Sequence, residues 1–167
     1  MNNRKIHDPR EQTKRGSYLV LLQVIWVGAY LAAPVYPTLF STAFWNTTAI
    51  PREALLILFW SNALLMGTLG MYHIRKYLTP LPYPVEHNQL VTSGVYSLVR
   101  HPLYSSQLFA AFGWALYSLS LSHLLLTALG ALFFNYKASR EEEWLTQRHP
   151  AYANYRSRVK KFIPWIY

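Results

Sequence analysis

Residues 100–143 read RHPLYSSQLFAAFGWALYSLSLSHLLLTALGALFFNYKASREEE, and this stretch decides the fold. A basic motif, Arg100 to Tyr104, opens it, and the run Glu141-Glu142-Glu143 closes it, with two apolar stretches and little charge between. Pro102 suits the first turn of a helix, where its missing N–H would be unpaired anyway. The pattern predicts a helix over 101–118, a tight turn at Leu119 to Ser122, and a helix over 121–144 that is apolar to about Tyr136. Each arm of about 20 residues rises about 30 Å, the thickness of a bilayer's hydrocarbon core. Folded back about Ser120, Arg100 and His101 oppose Ser139 to Glu141, so both signs of charge arrive at one end of a helical hairpin.

Toward the N-terminus the same reading continues. Residues 17–40 form an uncharged first span that Pro34 and Pro37 should kink or end. Ser41 to Pro51 is a short connection with Trp45 at the interface, where aromatic rings are favoured. A second span covers 54–74, with Gly67 and Gly70 suited to close helix packing, and Arg75 and Lys76 stop it. The fold class expected is therefore all-α: a polytopic membrane protein of about four transmembrane helices in one domain over 1–167, with a C-terminal helical hairpin and a cytoplasmic catalytic region. The cytoplasmic parts are a loop over 75–100 and a basic, aromatic tail over 145–167 lying on the lipid headgroups.

Composition agrees. The apolar fraction is 52%, and only 14% of positions are charged against roughly 25% in soluble domains. The absence of cysteine excludes disulfides and thiolate sites. The net charge of +9 sits beside apolar spans, which favours anionic headgroups over nucleic acid as the partner. Lys and Arg number five before the first span, one in the first connection, three in the middle loop, none at the hairpin turn and seven from Lys137 onward. That alternation places both termini in the cytoplasm. Short loops and no signal peptide suit a bacterial inner membrane, with the endoplasmic reticulum as the alternative. Oligomeric state is not legible.

The middle loop is distinctive. Pro80, Pro82 and Pro84 forbid a regular helix and favour an extended segment. Glu86-His87-Asn88-Gln89 and Thr92-Ser93-Gly94 follow as a polar turn region. Of the seven acidic residues in the chain, three stand at 141–143. Neighbouring residues on a helix diverge by about 100°, so at least one of these glutamates turns inward, toward the basic motif or a cationic ligand. A salt bridge to Arg100 or Lys137 is the plain structural alternative. The histidines show no pair at metal-ligand spacing, and no metal site is expected.

Two segments carry a family resemblance: LTPLPYPVEHNQLVTSGVYSLVRHPLYSS at 78–106 and REEEWLTQRHPAYANYRSRVKKFIP at 140–164. Together they resemble the isoprenylcysteine carboxyl methyltransferase family of integral membrane proteins, which is similar to the phospholipid N-methyltransferases. The family's Gly-x-Tyr stands here as Gly94-Val95-Tyr96, its Arg-His-Pro-x-Tyr as Arg100 to Tyr104, its paired glutamates as Glu141-Glu142, and a late Tyr-x-x-Tyr as Tyr152 and Tyr155. Val95 replaces a common proline, and Ser105-Ser106 replaces a frequent glycine.

The resemblance implies S-adenosylmethionine as methyl donor and a lipophilic small-molecule or prenylated acceptor. Methyl transfer from a sulfonium needs positioning more than acid–base help. Glu141 or Glu142 can accept from the donor's ammonium or ribose, His101, Tyr104 and backbone N–H groups can hold its carboxylate, and Tyr96 and Trp144 can cover its adenine. Arg100 can grip an anionic acceptor. Arg100 and Glu142 are thus the expected catalytic pair. Competing expectations are an NADPH-dependent reductase of the sterol-reductase-like type and a non-catalytic protein that binds a lipid or partner.

Overall fold

A computed structural model describes residues 9–36, 40–75 and 90–167, with the side chains of 9–15 excepted. The proline-rich segment and Glu86 to Gln89 lie outside the described residues. Those described form helices α1 (Pro9–Ala32), α2 (Thr42–Thr47), α3 (Ala49–Ile74), α4 (Pro102–Ser118), α5 (Leu121–Arg148) and α6 (Tyr152–Arg158), with a 3₁₀ turn at Gly94–Ser97. No strand is present among them, only an isolated parallel bridge between Val99 and Lys160. The all-α expectation holds.

Element boundaries follow local chemistry. α1 ends at Ala32, two residues before Pro34, because a residue preceding proline avoids the helical region. Pro102 occupies the first turn of α4 as expected. At the other end of α4, Leu119 takes a left-handed conformation (φ 48°), and its N–H closes on the Leu116 carbonyl. Ser120 then caps α5, accepting from the His123 N–H. A two-residue turn therefore joins the hairpin arms where the sequence placed it.

Helix contacts run through small residues. A Cβ on Gly70 would meet Leu103 and Pro102 at 3.1 and 3.2 Å, and one on Gly113 would meet Phe59 at 2.7 Å. These approaches seat α3 against α4. Gly130 leaves room for Trp26 of α1, whose indole N–H donates to the Leu126 carbonyl at 2.8 Å. Near the hairpin turn, Arg52 is buried and donates to the carbonyls of Tyr117 and Trp45 at 2.6 and 2.9 Å. It thereby neutralises the negative end of α4.

Around this frame the outward faces are apolar: Leu31, Ile50, Ile57, Leu64 and Leu132 are all strongly exposed. Soluble monomers rarely expose contiguous apolar patches beyond a few hundred Å². α3 is long and apolar enough to cross a membrane, and little of it is buried against protein. Among the described residues it alone passes that test; the apolar part of α1, Gly16–Ala32, and α4 are each 17 residues.

The C-terminal tail folds back on the start of α4, a contact not expected from the sequence. Arg100 N–H donates to the Lys160 carbonyl at 2.8 Å and His101 N–H to that of Lys161 at 3.1 Å, while the buried Ser105 hydroxyl donates to that of Phe162 at 2.8 Å. Lys161 Nζ donates to Asn135 and Ser139 of α5 at 2.8 and 2.9 Å. Phe162 joins Phe134 and Ala138 in a core beside Tyr104. The cause is hydrogen-bond satisfaction: α4 leaves N–H groups unpaired at its entry, and the tail supplies carbonyls.

Gly94 sets the approach of the 3₁₀ turn to α3. Its φ is +62°, and a Cβ there would lie 2.0 Å from His73 Nε2, a ring fixed by donation from Nδ1 to the Leu69 carbonyl. Gly94→Ala should destabilise the protein by about 1–3 kcal/mol. Gly28→Ala, where a Cβ meets nothing within 4 Å, should be neutral or stabilising by under about 1 kcal/mol. Detergent melting curves of the two variants check the contrast.

Candidate active site

The entry to α4 and the last turns of α5 meet as the hairpin geometry requires. Arg100 Nε and Nη2 contact Glu142 Oε1 at 2.9 and 2.8 Å, and His101 Nε2 donates to the same oxygen at 3.1 Å. Tyr104, one turn along α4, donates its hydroxyl to Glu141 Oε1, and His101 Nδ1 stands 3.7 Å from Glu141 Oε2. Glu143 points outward and pairs with Arg140 at 2.9 Å. One glutamate of the run is thus fully buried, one partly so, and one exposed.

Arg156 was not singled out in the sequence. Its Nε lies 3.2 Å from Glu142 Oε2, an ion pair whose angles leave that oxygen without a proper hydrogen bond. Arg100 also donates through Nη1 to the carbonyls of Arg156 and Val159. With 8% of its side chain exposed, Arg100 is fully engaged within the fold. The signal that could have exposed Arg156 is its position one residue after Tyr155, in the family-like tail.

Burial opposes ionisation of Glu142, but hydrogen bonds and charge from His101 and Arg100 outweigh it and hold this carboxyl down to about 2. Glu141 goes the other way. Burial pushes it up, and the Glu142 charge adds to that, against the weaker pull of His101, Tyr104 and Lys137. Two adjacent carboxyls are therefore driven apart in acidity, a pattern typical of sites that divide roles between like groups.

Beside this cluster lies a cavity of about 80 Å³ whose wall includes Tyr96, Arg100, His149, Tyr152 and Tyr155. Tyr155 donates its hydroxyl to the Tyr96 carbonyl at 2.5 Å, tying α6 to the 3₁₀ turn. Burial first, and the charge of Glu142 among the other causes, pushes the Tyr152 and Tyr155 phenols well up. Burial and Glu141 raise that of Tyr96 to about 12. The Nε2 of His149 is buried and has no hydrogen-bond partner in the protein. Trp144 is half-buried and does not line this cavity. The described residues contain no cluster of metal-ligating side chains.

The sequence model of the phospholipid methyltransferase family matches residues 54–153, which hold most of α3, the hairpin, and Arg100, His101, Tyr104, Glu141 and Glu142 of the charge cluster. The chain belongs to the phospholipid methyltransferase family. A curated relative within reach of this family member is the cobalt-zinc-cadmium resistance protein CzcN of Cupriavidus metallidurans, 38% identical over 80 residues. That match covers 47% of this chain and 37% of the relative, so the chain spans well under half the length of the protein it matches. The family resemblance carried by the motif residues is upheld, and family and apolar helix together point to a membrane protein.

Removing one partner of a buried ion pair costs about 3–5 kcal/mol. Glu142→Gln should lower stability by that order in detergent unfolding, and the gap from wild type should depend on pH. A carboxyl with a depressed pKa contributes fully above its unfolded value of about 4.3 and loses that contribution as pH falls toward its folded value, here about 2. Melting temperatures of the two proteins should therefore differ by a constant amount from about pH 8 to about pH 5 and converge below that.

Proposed function

We propose that this protein transfers a methyl group from S-adenosylmethionine to a lipophilic acceptor at the cytoplasmic face of a membrane. The acceptor is of the isoprenylcysteine-carboxylate type or a related lipid. The observation that carries the reading is the meeting, inside the family-matched residues, of Arg100-His101-Tyr104 with two glutamates of opposed acidity. α1, α3, α4 and the apolar arm of α5 act as four membrane crossings, the shorter ones set by their 17-residue apolar lengths. Both termini then lie on the side where Lys and Arg accumulate, as the positive-inside rule requires.

The residues fit the donor in kind. The donor supplies an electrophilic methyl on a positively charged sulfur, next to an ammonium, a carboxylate and a flat adenine. Glu141 keeps acceptor capacity beyond its bond from Tyr104, and it has 16% of its side chain exposed. It is the carboxylate suited to a cationic group. Glu142, already surrounded by Arg100, His101 and Arg156, fixes the scaffold. The faces of Tyr96, Tyr152 and Tyr155 suit a planar ring, and the unpaired His149 Nε2 suits a ring nitrogen or hydroxyl. Arg100, with its guanidinium engaged on every side, positions Glu142 rather than gripping the acceptor.

Titration calorimetry of the lipid-embedded protein with S-adenosylhomocysteine should give saturable binding. Glu141→Gln should weaken it about tenfold or more, the value of a charged hydrogen bond, with melting within a few degrees of wild type. Because Glu141 has a raised pKa and binds a cation only when ionised, wild-type affinity should fall on acidification above the usual carboxylate range, and Glu141→Gln should flatten that profile. Absence of binding to wild type, or equal affinity in Glu141→Gln at all pH values, refutes the assignment. Labelled methyl recovered in the lipid extract of incubated membranes identifies the acceptor class.

A further inference from the structure

One buried cation is unused by the arrangement above. Lys137 lies on α5 one turn before Glu141 and is 3% exposed. Its Nζ donates to Gln23 Oε1 of α1 at 2.6 Å and stands 5.1 Å from the centroid of the Tyr104 ring. Among the described residues no carboxylate makes an ion pair with it; Glu141 acts on it only at longer range. An ammonium has three N–H donors, so one amide oxygen and an aromatic face leave it short of partners for a charge withdrawn from water. Ionisable groups at such depth mark binding paths. Neighbouring cations have partners: Arg100 and Arg156 in Glu142, Arg140 in Glu143, and Lys161 in Asn135 and Ser139.

Gln23 connects Lys137 to a second cavity. Its Nε2 donates to Gln107 Oε1 at 2.9 Å, and Gln107 is on the wall of a space of about 490 Å³ between α1, α3, α4 and α5. That volume falls in the range of ligand pockets. The remaining wall is mostly aromatic and apolar, with Trp26, Tyr30, Trp60 and Trp114 prominent, and His123 toward the hairpin turn. Around it the outer surface is apolar, as at Leu31 and Trp60, so the surroundings are hydrocarbon chains. An apolar slot with an underpaired ammonium one amide away matches a molecule with an apolar chain and an anionic end.

We propose that Lys137 binds the anionic head, a carboxylate or phosphate, of a lipid whose hydrocarbon chain occupies this cavity, with the Gln23 amide giving way to the head. Identifying this lipid with the methyl acceptor rests on the function proposed above; its binding does not. The arrangement assigns the acceptor-facing cation to Lys137 and sets an anionic lipid apart from a neutral one of the same chain.

The tryptophans of the cavity provide the readout. Full-length protein in neutral detergent is titrated with a dibrominated stearate and with its methyl ester, following saturable quenching of tryptophan emission. Wild type should bind the stearate about tenfold tighter than the ester, the order expected of a charged hydrogen bond. Lys137→Met and Lys137→Gln should bring that ratio near one while melting no lower than wild type, and Lys137→Arg should keep the preference. Ala110→Phe, which fills the cavity, should weaken both ligands together. A ratio near one in wild type, or a preference retained by a folded Lys137→Met or Lys137→Gln, overturns the proposal. So does unchanged quenching in Ala110→Phe, and so does release of the stearate by millimolar inorganic phosphate, which would make this a site for free anions. No arm requires the methyl donor, so failure to bind S-adenosylhomocysteine would refute the enzymatic reading and leave this one standing.

Discussion

Glu142 has no exposed surface, and its two oxygens face Arg100, His101 and Arg156, contributed by the entry of α4 and by α6. A carboxylate in that position must be ionised and paired or else neutral and orphaned, and the second state is costly. The requirement ties three segments together. α5 must deliver residue 142 to the level of the α4 entry, the turn at Leu119 must keep the arms in register, and the tail must return to bring Arg156. Arg100 strengthens the closure because its remaining donors hold the carbonyls of Arg156 and Val159. Buried ion pairs often add little net stability over apolar replacements; what this one supplies is a single permitted arrangement.

That arrangement divides the charge at this end of the hairpin into two groups. Around Glu142 two guanidinium groups and an imidazole converge on one sealed carboxylate, whose Oε2 has no hydrogen bond of its own. Around Glu141, Tyr104, Lys137 and Gln23 the groups are linked by a hydrogen bond from Tyr104 and another from Lys137 to Gln23, with capacity left over. The tyrosines of α6 and the 3₁₀ turn stand next to the first group, so the same tail that closes the scaffold also builds the wall of the smaller cavity.

Some of this was legible from particular residues. Pro102 fixed the start of α4, the apolar run between Tyr104 and Lys137 required a hairpin, and the scarcity of acids singled out 141–143. Helix rise is constant, so equal arm lengths bring Arg100 to the level of Glu141 and Glu142 whatever the packing. The charge and aromatic content of the tail point to headgroups and say nothing of its return to α4; nothing local records that Ser105 and the Arg100 and His101 N–H groups need its carbonyls. Nothing local marks Arg156 either, since its approach to Glu142 depends on the same return of the tail.

The sequence by itself therefore determined the all-α class, the hairpin, the placement of charge at one end and the family motifs, because each depends on spacing along one chain or one helix axis. Only the tertiary structure decided which glutamate is sealed and which stays open, that Arg100 pairs with Glu142, and that Lys137 donates to Gln23. Those outcomes depend on the rotation of one helix about its axis relative to another and on the return path of the tail. Side-chain packing sets both, through contacts such as Gly113 on Phe59 and Gly130 on Trp26, and no periodicity along the chain encodes them.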